Sequence, residues 1–178
     1  MEESAFMYKS VAIVLAMMII AGCNKLTDQE LWDQGVEYQK AEKMTEALQF
    51  YQQILDNYPK SPKVPDALYA IGSICQNKNL DIYRAIRSYR RIVDEYPTHA
   101  TATSALFLIG FVYNNELKNL DSARAAYEEF LRKYPDNTMA ESARFELANL
   151  GKNPDEIIDL KSRPLAKSDK NTPTRNKK

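Results

Sequence analysis

The sequence predicts an all-α fold of about three antiparallel helix pairs, stacked side by side and closed by a capping helix. A Tyr-Pro dipeptide recurs every 38 residues, at positions 58, 96 and 134. Alanines recur with the same period and open similar apolar phrases, at positions 67, 105 and 143. The chain has only five glycines and is rich in good helix formers. Self-similarity at such a period is typical of solenoid repeats, in which each unit buries its apolar face against the next.

The N-terminal segment predicts a secretion signal. Residues 11–20 form an uninterrupted apolar run, which is shorter than the roughly 20 residues that span a bilayer and matches the core of a signal peptide. A short buried helix is the alternative, but nothing nearby would cover such a run on all faces. We expect residues 1–22 to be cleaved. Glu2 and Glu3 are unusual in a signal, and Met7 offers a second possible start.

The signal ends in a motif that resembles the lipobox of bacterial lipoproteins, formed by Ile20, Ala21, Gly22 and Cys23. The resemblance implies cleavage before the cysteine and its acylation with chains such as palmitate. Two or more acyl chains hold a protein stably at a bilayer. Asn24 follows the cysteine, and the absence of Asp there is compatible with delivery to the outer membrane. Residues 23–28 then form a short tether to the folded part.

The periodic part of the chain predicts seven helices. The first helices of the pairs cover 29–41, 65–77 and 101–115, the second helices cover 45–57, 81–95 and 121–133, and a cap covers 139–150. Each second helix carries an Ala, a Tyr and a large apolar residue at spacings of four and three, which places them on one face. Predicted N-terminal caps are Thr45, Asp81 and Asp121, with a capping box at Thr138 and Glu141.

The order of Leu31, Trp32, Gly35, Ala47 and Tyr51, with a following Tyr-Pro, resembles the tetratricopeptide repeat. The resemblance covers about 26–150 and implies a domain at 29–150: a right-handed superhelical solenoid of about three tetratricopeptide-type helix pairs plus a capping helix. The period is longer than the usual 34 residues, and Tyr-Pro is followed by Ser or Thr. Both features are similar to BamD-like and YbgF-like proteins of outer-membrane assembly and the cell envelope. We expect a non-enzymatic role without cofactors because the residues contain no recognisable catalytic motif.

In the tetratricopeptide pattern the first helices line a protein-binding groove. The implied groove residues form three rows along the first helices: Trp32, Tyr69, Phe107 and Phe145; Val36, Ser73, Phe111 and Asn149; Gln39, Lys40, Gln76, Asn77, Asn114 and Asn115. Rings supply contact area and amides pair with backbone groups, so such rows suit a peptide segment. The alternative is that the rings only pack between repeats, and packing is favoured for Phe145 because it lies on the cap.

A second candidate surface is a basic stripe on the second helix of the middle pair. Arg84, Arg87 and Arg91 share one helix face. The stripe is either a solvated face paired with Asp94 or Glu95, or a site for an acidic partner.

No residue cluster predicts chemistry. His99 is the sole histidine and has no cysteine near it in sequence, so we expect no metal site, and no nucleophile–base arrangement or phosphate loop stands out. With Cys23 acylated, Cys75 cannot form an internal disulfide and is expected to be a small buried thiol. We expect no catalysis, no small-molecule substrate and no nucleic acid.

Charge is distributed unevenly along the chain. Residues 161–178 contain seven basic residues and one acidic residue, whereas 24–160 carry a net charge of −5. The segment 161–178 is expected to be a disordered basic tail, preceded by a possible short helix at 151–160.

The predicted function is that of a lipid-anchored adaptor, facing the periplasm from the outer membrane, that binds other envelope proteins. The alternatives are a structural lipoprotein whose tail contacts cell wall or acidic headgroups, and an accessory subunit of a secretion or transport complex.

Overall fold

The computed structural model describes residues 25–78 and 80–152, which contain seven α-helices and no strand. The predicted signal, the lipobox with Cys23 and the basic tail lie outside these residues, as does the possible short helix except for Gly151 and Lys152. None of the described helices combines the length and apolar character that crossing a membrane requires. The described residues divide between Ala105 and Leu106 into two compact units.

The first unit contains two helix pairs and the start of a fifth helix. Helix α1 (Asp28–Lys40) packs against α2 (Met44–Asn57), α3 (Val64–Asn77) packs against α4 (Ile82–Glu95), and α2 also packs against α3. Helix α5 (Thr101–Asn115) begins in this unit.

The second unit contains most of α5, helix α6 (Leu120–Lys133) and helix α7 (Ala140–Ala148), with α6 packed against α7. Rings of α5 and α6 are also in contact, since the ring centroids of Phe107 and Tyr127 lie 5.5 Å apart.

In each helix pair a glycine of the first helix lies against the ring of a tyrosine of the second helix. A Cβ atom added to Gly35 would lie 2.5 Å from the ring of Tyr51, and Gly72 and Gly110 stand in the same relation to the tyrosines of α4 and α6. The tyrosine rings are buried, as are the alanines four residues before them. The 38-residue period therefore reflects a repeated packing contact. In each pair the tyrosine ring of the second helix packs against the backbone of the first helix at a glycine.

The seven predicted helices are all present, and their bounds agree with the prediction to within two residues. Three predicted caps are wrong. Thr45 and Asp121 lie inside the first turn because α2 and α6 start one residue earlier than expected; Asn119 caps α6 instead. Thr138 makes no cap either, since α7 follows Met139, whose amide donates to Asn137. Asp81 caps α4 as predicted.

Candidate peptide-binding groove

An open groove of about 490 Å³ lies between α1 and α3 in the first unit. Its lining residues come from one face of each of these helices and from a single ring of α2: Trp32, Val36, Gln39, Lys40, Tyr51, Asp66, Tyr69, Ala70 and Ser73. The spacings of three and four along both helices explain why these side chains share one surface. Six of the nine were predicted, namely Trp32, Val36, Gln39, Lys40, Tyr69 and Ser73.

The aromatic residues of the groove rest on the buried tyrosines of the second helices. The ring centroids of Trp32 and Tyr51 lie 5.2 Å apart, and those of Tyr69 and Tyr89 lie 5.8 Å apart. Trp32 and Tyr69 are half-buried, whereas the two tyrosines beneath them are fully buried. Each groove ring thus packs on one side and keeps part of its surface accessible, which is the arrangement of a pre-positioned contact residue.

A buried phenol orients the amide of Gln39. The hydroxyl of Tyr51 donates to Oε1 of Gln39 over 2.9 Å, which directs the amide nitrogen away from the ring. Burial raises the pKa of Tyr51 to about 12, so the phenol stays protonated and continues to donate at neutral pH. The amide N–H groups of Gln39 have no acceptor among the described residues and are available to a ligand carbonyl.

Charged residues of both signs stand at the edge of the groove. Lys40 and Asp66 line it, and the carboxylate of Asp66 lies 3.8 Å from Nε2 of His99. The ammonium of Lys63 lies 5.7 Å from the centroid of the Trp32 ring, within the range of a cation–π contact. The groove therefore carries no strong charge of one sign.

Two predicted groove residues of α3 have other roles. Gln76 accepts the hydroxyl of Tyr89 over 3.1 Å, as Gln39 does for Tyr51. Asn77 is exposed and donates to Ser73. Neither side chain lines the groove between α1 and α3.

The predicted residues of α5 lie in the second unit. Phe107 is half-buried and packs edge-on against Tyr127 and Phe130, with centroid distances of 5.5 and 6.1 Å. Phe111 is exposed and its carbonyl accepts from Asn115. These contacts give Phe107 a packing role, while Phe111 remains at the surface. On α7, Phe145 is 41 % exposed, so its ring is not part of the core of this unit.

The second unit also contains a polar group that its surroundings do not satisfy. The hydroxyl of Tyr127 is buried and has no hydrogen-bond partner within residues 25–78 and 80–152. Asn114 occupies the position that corresponds to Gln39 and Gln76, and its side chain is one methylene shorter. Burial, with the carboxylate of Glu146 as a further cause, raises the pKa of Tyr127 above its usual range, and burial also raises the pKa of Glu146.

The guanidinium groups of the basic stripe on α4 have partners within the first unit. Arg84 donates to Gln52 over 3.0 Å and Arg87 lies 3.7 Å from Asp81. Arg91 forms two hydrogen bonds with Glu95, which raise the pKa of the arginine and lower that of the carboxylate. Such local pairing is typical of a solvated helix face.

The remaining candidates for chemistry are dispersed. Cys75 is buried, and burial raises the pKa of its thiol, which makes the thiol less reactive. The ring of His99 bonds to Thr101 through Nδ1. Within the part of the chain that the structure describes, no three His, Cys, Asp or Glu side chains are grouped as metal ligands.

The sequence matches the model of a known protein family. The model of a family described as outer membrane lipoprotein, YfiO, matches residues 24–153, which include all seven helices and well over half of the chain. No curated protein matches the sequence.

Proposed function

Because the chain belongs to the YfiO family of outer membrane lipoproteins, we propose that it is a non-catalytic adaptor that binds segments of other envelope proteins in the groove between α1 and α3. Acyl chains on Cys23 would hold it at the outer membrane, with the helices in the periplasm. The family is BamD-like and of the tetratricopeptide type, so a role in outer-membrane assembly agrees with this proposal.

The observation that supports peptide binding is the pairing of two accessible rings with an oriented amide. Trp32 and Tyr69 are held in place by the tyrosines beneath them, so little side-chain entropy is lost when a ligand binds. Gln39 offers N–H groups to a backbone carbonyl. A peptide segment needs both apolar contact and backbone partners, and the groove supplies both over about 490 Å³.

The test blocks the groove without disturbing the core. Ala70 is half-buried and lines the groove, so Ala70→Arg places a long side chain where the ligand would lie. Gln53 on α2 is exposed, and Gln53→Arg adds the same charge away from the groove. Wild type and Gln53→Arg should capture the same envelope protein from solubilised membranes, and Ala70→Arg should not.

The identity of the captured material separates the functions. A component of outer-membrane assembly supports the proposal. Cell-wall fragments would instead favour the structural lipoprotein, and secretion subunits the accessory role. A folded Ala70→Arg variant that captures the partner as well as wild type would contradict binding in this groove.

A further inference from the structure

Hydrogen bonds and a cation–π contact join the start of the described chain to the turn between α2 and α3. The hydroxyl of Tyr58 donates to the carbonyl of Leu26 over 2.7 Å, and the ammonium of Lys25 lies 5.3 Å from the centroid of the Tyr58 ring. Ser61 donates to the carboxylate of Asp28 over 2.5 Å. We call these five residues the N-terminal clamp. The clamp fixes the position of the chain at the first residue that the structure describes.

The clamp leaves almost no length between the folded unit and the predicted lipid anchor. Cys23 stands two residues before Lys25, and two fully extended residues span about 7 Å. That distance is similar to the Debye length of roughly 8 Å at physiological salt. An anchor at Cys23 would therefore keep Lys25 within electrostatic range of the lipid headgroups.

The residues around the clamp carry positive charge that is not neutralised by ion pairs. Lys25 and Lys60 are exposed, and Lys63 is half-exposed. None of the three forms an ion pair within residues 25–78 and 80–152, in contrast to Arg87, Arg90 and Arg91 of α4. The carboxylates of Asp28 and Glu30 nearby accept hydrogen bonds from the neutral donors Ser61 and Thr27. They keep their negative charge, and the three lysines exceed these two carboxylates by one positive charge.

We propose that Lys25, Leu26, Lys60 and Lys63 form a surface that rests on acidic lipid headgroups. Leu26 is 39 % exposed and can enter the interface between headgroups and acyl chains. The inference rests on the proposed anchor at Cys23 and adds an orientation to it. Because the ammonium of Lys63 lies against the ring of Trp32, which lines the groove, the surface places that end of the groove beside the membrane. The groove then receives partner segments that lie close to the bilayer.

Trp32 is the sole tryptophan of the chain and serves as the probe. The lipidated full-length protein is reconstituted in vesicles that carry an energy-transfer acceptor on the headgroups, made either of phosphatidylcholine alone or with phosphatidylglycerol. Energy transfer from Trp32 should be strong on both. A long Gly-Ser insertion between Asn24 and Lys25 should abolish most of the energy transfer on neutral vesicles. On acidic vesicles the transfer should persist, because the lysines still bind the surface to the headgroups.

Removing charge from the surface should remove that remaining transfer. Each lysine near an acidic surface strengthens association about fivefold, so Lys25→Gln with Lys60→Gln should weaken it about 25-fold in the insertion variant. Lys63 is left in place because it contacts the probe ring. Lys78→Gln with Lys118→Gln replaces two exposed lysines elsewhere and should leave the transfer unchanged.

The outcomes separate the anchor from the surface. Protein that does not sediment with the vesicles overturns the anchor, and with it the proposed attachment. Protein that sediments, but whose energy transfer responds neither to the insertion nor to the two lysine substitutions, overturns the headgroup-binding surface alone.

Discussion

Replacing Asn114 by glutamine tests whether the buried tyrosine that recurs in each helix pair requires a hydrogen-bond acceptor for its hydroxyl. Tyr51 and Tyr89 donate to Gln39 and Gln76 over 2.9 and 3.1 Å. The hydroxyl of Tyr127 is buried and has no partner among the described residues. Asn114→Gln adds the methylene that the other two repeats possess, so the new amide oxygen can reach the hydroxyl of Tyr127.

The size of the effect follows from the cost of the unsatisfied group. A buried polar group without a hydrogen bond costs about 1–3 kcal/mol, and a typical bond formed on folding contributes about 1 kcal/mol. Asn114→Gln should therefore raise the free energy of unfolding by about 1 kcal/mol and Tm by about 4 °C. The reverse change in the first repeat, Gln39→Asn, should lower the free energy of unfolding by a similar amount.

Urea denaturation followed by circular dichroism measures both variants, and two tyrosine substitutions supply the control. Tyr51→Phe removes a hydroxyl that donates and should destabilise by about 1 kcal/mol. Tyr127→Phe removes a hydroxyl that does not donate and should leave stability unchanged or raise it. Equal losses for the two substitutions, together with no gain from Asn114→Gln, would refute the reasoning.

Three further predictions concern the anchor, the tail and pH. Cys23→Ser should abolish incorporation of labelled acyl chains and release the protein from membranes; persistent labelling would disprove the anchor site. Deletion of 161–178 should shift Tm by less than about 3 °C, roughly 1 kcal/mol, because the tail has too few apolar residues to join a core. Stability should fall between pH 10 and 12, since the unfolded state loses the Tyr51 proton near pH 10 whereas the folded state keeps it to about 12. Tyr51→Phe should reduce that loss in urea titrations at alkaline pH.

Helix bounds and core residues could be predicted from the sequence because the same spacing of apolar residues recurs in every repeat. The spacing of Ala47, Tyr51 and Ile54 recurs in α4 and α6, and all of these residues are buried. The same helical spacing predicted two thirds of the residues that line the groove. Asp66 and Ala70 were missed although they lie on the face of Tyr69, and Tyr51 was missed because it was assigned to the core alone.

Contacts that depend on the exact course of the chain were not predictable from the pattern. The start of α2 is set by the turn before it, in which Glu42 has a φ of 58°, so Thr45 falls inside the helix. Thr27 and Glu30 form a capping box at the start of α1 that the repeat does not indicate. The bond from Tyr58 to Leu26 joins residues far apart in sequence, and neither residue type signals it.

The most direct test of groove binding is a paired measurement of partner affinity and thermal melting for Tyr69→Ala and Phe107→Ala. Truncation of a ring that anchors a ligand typically costs about 2 kcal/mol of binding energy, whereas loss of a ring that serves only as core costs about 3–5 kcal/mol of stability. We expect Tyr69→Ala to stay folded and to bind its partner about 30-fold more weakly. Phe107 packs against two rings of α6. Phe107→Ala should therefore lower the melting temperature, rather than weaken partner binding in a folded protein. A folded Tyr69→Ala variant with unchanged affinity would contradict the account, and an unfolded one would show that the ring belongs to the core.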